Sequence, residues 1–112
     1  MIGKYNKLVR DKIPVIIEKQ GEKAITKILS QEDYRNQLEM KLLEEVNEVI
    51  ESSKANCLEE LADVLEVITC LAELYGSNIN EVQSIQEKKK RERGSFKERI
   101  YLVEVQVCEL SK

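Results

Sequence analysis

The chain has 112 residues, 35% of them charged and only 4% aromatic, with a formal net charge of −3. That length suits one domain with a core of modest size, and so few aromatics leave Leu, Ile and Val on helices to build it. The near-balanced charge does not announce nucleic acid as a partner, and the absence of histidine removes the commonest general base and zinc ligand.

In chain order, residues 1–10 are polar with scattered apolar positions and no clear period. Asp11 is placed to cap a short helix, with Pro14 tolerated in its first turn and Gly21 ending it. Residues 24–29 (AITKIL) alternate weakly, as a short strand would. Ser30 caps a second helix that runs to about Ser52, and SSKAN makes a turn. Asn56 with Glu59 three residues on has the form of a capping box, opening a third helix that runs to Tyr75 and stops at Gly76. Asn78 with Glu81 repeats the signal for a fourth helix ending at Gly94. Residues 100–107 (IYLVEVQV) alternate and are β-branched, a candidate strand to pair with 24–29. No repeat, linker or second domain is visible. The chain therefore reads as a single all-α domain over 1–112, a bundle of four main helices with the option of that short β pair.

Charge is segregated along the chain. The middle is acidic, while residues 4–12 and 88–99 are basic. Cys57, Cys70 and Cys108 have no metal-motif spacing and read as reduced thiols. With no signal peptide and no apolar run near ~18 residues, a soluble cytoplasmic protein is expected.

The informative question is which carboxylates stand in core positions. Steps of about 100° per residue place Tyr34, Leu38, Leu42, Val46, Val49 and Ile50 on one side of the second helix. Glu45 falls inside that stripe and Glu48 at its edge, while Glu44 and Glu51 point roughly opposite. The third helix is apolar nearly all round, with one polar stripe of Glu59, Glu66 and Glu73. Glu60 and Asp63 lie off that stripe, Glu60 between Val67 and Leu71, and Asp63 between Cys70 and Leu74. An antiparallel hairpin about SSKAN brings Glu48 level with Glu60 and Glu45 level with Asp63. Within each helix the two acids are separated by roughly 4.5 Å along the axis. Four partly buried carboxylates in one place must protonate or gather cations. With no His or Cys among them the donors are all oxygen, which favours Mg²⁺ or Mn²⁺ over zinc. The competing reading is a solvated acidic face, or ion pairs with the lysines of a neighbouring chain.

EEVNE at 44–48, followed eleven residues later by EELAD at 59–63, resembles the EExxE…ExxD signature of the all-α nucleoside triphosphate pyrophosphohydrolases. This superfamily includes MazG, dimeric dUTPases and phosphoribosyl-ATP pyrophosphohydrolase. YNKLVRDKIP near the start and KKKRERGSF near the end resemble its MazG-like branch, often labelled phosphoribosyl-ATP pyrophosphohydrolase-like, so that the likeness covers about residues 4–106. Ser95 departs from the branch's usual RGGF. The resemblance implies Mg²⁺-dependent cleavage between the α and β phosphates, giving a nucleoside monophosphate and pyrophosphate. It implies metal ligands at Glu45, Glu48, Glu60 and Asp63, the four acids that helical geometry singles out separately. It also implies phosphate-binding residues at Lys89 and Arg93.

Glu45 and Glu48 are accordingly the candidate catalytic residues, as ligands that also orient the attacking water, with Glu44 a lesser candidate beside them. Lys89 and Arg93, four apart, share a helix face suited to phosphate charge or, more blandly, to solvent. Lys7, Arg10 and Lys12 would reach phosphates if the N-terminal segment folds over the site. The apolar third helix exceeds what three other helices can cover, so a homodimer or tetramer is expected. Two other functions compete: hydrolysis of phosphoribosyl-ATP in histidine biosynthesis, and a non-catalytic helical regulator whose KKKRERGSFKER segment binds nucleic acid or an acidic partner. Phe96 is the sole aromatic in that segment, which argues against single-strand binding.

Overall fold

The computed structural model describes residues 6–108, so Lys4 and Tyr5, which open the basic stretch and the N-terminal motif, lie outside it. Four helices form: α1 (Ile13–Lys19), α2 (Gln31–Glu51), α3 (Cys57–Leu74) and α4 (Ile79–Arg93). No strand occurs among the described residues, and the fold is all-α as expected.

The helix ends follow from local chemistry, with two departures from expectation. Ser30 caps α2 as its position predicts, its Oγ accepting from the Asp33 N–H at 3.2 Å. For α1 the cap position is Lys12 rather than Asp11, and no side chain caps it. A tight turn takes up the backbone instead, with the Ile13 N–H donating to the Arg10 carbonyl at 3.0 Å. Asn56 does stand at the start of α3, but its side chain makes no capping bond and the box with Glu59 does not close. The cause is its backbone, at φ −106° and ψ 2°, outside the extended region that swings a capping side chain over the first turn. At the other end of α3, Gly76 at φ 82° lets its N–H donate to Glu73 and the Ser77 N–H to Ala72, a Schellman closure that needs the left-handed conformation. Gly21 and Gly94, also at positive φ, follow α1 and α4.

The expected pair of strands at 24–29 and 100–107 is not formed. Ile25 is 89% exposed and Val107 94% exposed. Weak alternation presents apolar residues without a covered face to bury them, and an isolated two-stranded pair is marginal in water.

The chain divides into two compact units, one up to Ile79 and one from Asn80. In the first, α2 packs on α3. The five-residue connection at 52–56 reverses the chain into an antiparallel pair, with Tyr34 near the start of α2 beside Cys70 near the end of α3. Burial raises the pKa of both groups. The buried apolar residues, Leu38, Val67 and Ala72, lie on these two helices. The second unit contains α4 from Asn80 onward, a polar helix with Lys90, Arg91 and Arg93 in its last turn. No helix among the described residues is long and apolar enough to cross a membrane.

Candidate metal centre

Toward the connected end of the α2–α3 hairpin, Glu45, Glu60 and Asp63 converge, each offering a carboxylate oxygen within 4.8 Å of the others. Each is aimed there by helix geometry. Glu45 occupies a position in the apolar stripe of α2 and is 8% exposed, the one buried charged residue among those described. Glu60 and Asp63, one turn apart on α3, are half-buried on the side facing α2. Glu48, the fourth expected ligand, is exposed and stands outside this group of three. Its edge position on the stripe carries it toward solvent, yet its charge is felt at Glu60.

The electrostatics are those of a crowded anionic cluster. The Glu60 carboxyl is raised above the ordinary carboxylate range, first by desolvation and then by the charges of Glu48, Asp63, Glu45 and Glu59. No lysine or arginine among the described residues forms an ion pair with it. The other two acids of the triad have cations beside them. The Arg10 guanidinium donates to Asp63 Oδ1 at 2.6 Å, and Lys41 Nζ lies 3.4 Å from Glu45 Oε2. Lys41 also donates to Glu44 at 3.2 Å, and Lys7 approaches the same oxygen at 3.7 Å. The Lys41 hydrogen bond is the main reason the Glu44 carboxyl sits below its usual range. Glu44, expected to face water, is therefore half-buried and tied to two cations.

Of the basic candidates, Lys7 and Arg10 reach the carboxylates, while Lys12 is exposed at the start of α1. Lys89 and Arg93 are exposed, one turn apart on α4, in the second unit. Lys41 was not among the expected residues. Its spacing of three and four from Glu44 and Glu45 is the ordinary signature of intrahelical pairing and was sufficient to find it.

The donor set suits a hard divalent cation. Oxygens bonded at about 2.1 Å to one octahedral ion lie about 3 Å apart when adjacent and about 4 Å apart when opposite. Separations up to 4.8 Å close to that shell with small side-chain rotations. Three carboxylates on two rigid helices can hold a metal ion, and all-oxygen ligation is the pattern of Mg²⁺, Mn²⁺ or Ca²⁺ sites. Comparison with protein-family models, with curated proteins and with solved structures returned no match.

Proposed function

We propose that the protein is a divalent-metal-dependent nucleotide pyrophosphohydrolase, converting a nucleoside triphosphate to the monophosphate and pyrophosphate with Mg²⁺, or Mn²⁺ in its place. The observation that carries this reading is the convergence of Glu45, Glu60 and Asp63 from two antiparallel helices. The EExxE…ExxD spacing, with its flanking basic motifs, supplies the reaction class. A bound Mg²⁺ would bridge phosphate oxygens and offset their charge. Glu45, Glu60 and Asp63 supply its protein oxygens. Glu48, exposed beside them, would complete the set and, with Glu45, orient the attacking water and accept its proton. Arg10 and Lys7 bring positive charge to the same mouth, where a polyphosphate would lie.

The working form is proposed to be a homodimer. Each of the two packed helices leaves an apolar stripe uncovered: Met40, Leu43 and Ile50 on α2, and Leu58, Leu61 and Leu65 on α3. A second copy laid against these stripes completes a larger helical bundle around the site.

The test is pyrophosphate release from a panel of nucleotides, modified bases and phosphoribosyl-ATP included, with and without Mg²⁺. Release is expected to need the metal and to fall on the order of 100-fold or more in Glu60→Gln and Asp63→Asn, since loss of even a group that only supports a ligand costs about 10–100-fold. Unchanged release in both variants overturns the assignment. So does a chain inert toward the whole panel, and if such a chain binds nucleic acid with steep salt dependence the regulator takes its place.

A further inference from the structure

The two cations at the triad are held in different ways. Lys41 belongs to α2, one turn from Glu45, and its side chain is only 21% exposed, so the helix keeps it beside Glu45 whatever else occupies the site. Arg10 comes from the non-helical segment ahead of α1, and its side chain is 58% exposed. Its guanidinium nevertheless sits 2.6 Å from Asp63 Oδ1, on one of the three oxygen-bearing groups a metal would use. A divalent ion bound by Asp63 would stand a few ångströms from that guanidinium and repel it, in a partly solvated place where the pair has little to lose by opening.

Resting on the metal reading above, we propose that Arg10 is the exchangeable counter-ion of the centre: it holds Asp63 in the ion-free chain, gives it up when a divalent cation enters, and turns its planar fork to the phosphates of the incoming nucleotide. Lys7, three residues earlier and 3.7 Å from Glu44, moves with the same segment. The N-terminal segment thereby links metal entry to phosphate capture. An arginine suits this better than a lysine, because its fork pairs with either carboxylate or phosphate through two parallel hydrogen bonds.

The experiment measures Mn²⁺ binding by electron paramagnetic resonance on the full chain, in the wild type, Arg10→Ala, Arg10→Gln and Arg10→Lys, without nucleotide. Circular dichroism confirms folding, which substitution of an exposed side chain leaves intact. Arg10→Ala and Arg10→Gln are expected to bind Mn²⁺ about two- to fivefold more tightly than wild type, the gain available from freeing an exposed ion pair. Arg10→Lys is expected to fall between. With Mg²⁺ present, a non-hydrolysable α,β-methylene triphosphate is expected to bind more weakly to Arg10→Ala than to wild type. Equal Mn²⁺ affinity across wild type, Arg10→Ala and Arg10→Gln overturns the counter-ion role and leaves the metal site standing. Tighter Mn²⁺ binding with unchanged analogue affinity overturns the transfer to phosphate. Absence of Mn²⁺ binding in every form, with Glu60→Gln and Asp63→Asn indistinguishable from wild type, overturns the metal reading and this inference with it.

Discussion

Glu45 shows what a buried carboxylate requires. At 8% exposure it has lost most of its water, and Lys41, one turn earlier on the same helix, is 3.4 Å away. Removing one member of such a pair leaves the other uncompensated. Lys41→Met is therefore expected to lower unfolding stability by about 1–3 kcal/mol, less than for a fully enclosed pair because the lysine keeps some contact with water. Urea denaturation measures the loss, and saturating Mg²⁺ is expected to restore part of it. Glu60 has the opposite problem, desolvation and then negative neighbours in place of a cation. Its carboxyl is raised above the unfolded value, so protonation favours the folded, ion-free chain. That contribution is fully present below the ordinary glutamate pKa and is lost as pH rises through the raised one. Glu44, lowered mainly by its Lys41 hydrogen bond, contributes stability present above the ordinary pKa and lost as pH falls through the lowered one. Glu60→Gln is accordingly expected to raise the urea midpoint of the ion-free protein at neutral pH, and to lose that advantage as the solution is acidified below the carboxylate range. It should also abolish the midpoint increase that Mg²⁺ gives the wild type. A midpoint unaffected at neutral pH would show that desolvation and like-charge crowding at Glu60 carry no stability cost.

At the scale of elements, similar sequence signals have unequal physical content. Ser30 and Asn56 both stand where an N-cap is expected, but the serine Oγ holds the Asp33 N–H while the asparagine side chain holds no cap. Ser30→Ala is expected to cost about 1 kcal/mol, and Asn56→Ala less than about 0.5 kcal/mol, in thermal or urea unfolding. The reason is the connection. Five residues must reverse the chain between α2 and α3, and the Asn56 N–H is already turned toward the Ser53 carbonyl at 3.1 Å. Gly76 carries its signal fully. A Cβ there would meet nothing within 4 Å, so the cost of Gly76→Ala is that of the positive φ alone, about 1–2 kcal/mol. The strand readings at 24–29 and 100–107 came from alternation without a partner, and alternation describes a surface that something else must cover.

The whole molecule has a thin core. Among the described residues, those buried are Leu38, Val67, Ala72 and Glu45, whereas Leu58 is 80% exposed and Ile50 73% exposed. Exposed apolar surface on this scale is what the proposed dimer would cover. In light scattering the wild type is expected at twice the chain mass. Leu58→Glu combined with Leu65→Lys is expected to shift it toward the monomer, with a lower unfolding midpoint that depends on protein concentration. A monomeric wild type with a concentration-independent midpoint would remove the proposed interface.

Taken alone, the order of residues determined the helices, because period and punctuation are local properties of the chain. It also singled out Glu45, Glu48, Glu60 and Asp63 as acids off the polar stripes, because a helix maps sequence spacing directly onto direction. What only the tertiary structure decided was which charges meet. Glu48 stands outside the triad because an edge position opens to solvent or to a neighbour according to how two helices are rolled against each other. Arg10 lies on Asp63, 53 residues away, because the path of a non-helical segment leaves no period in the sequence.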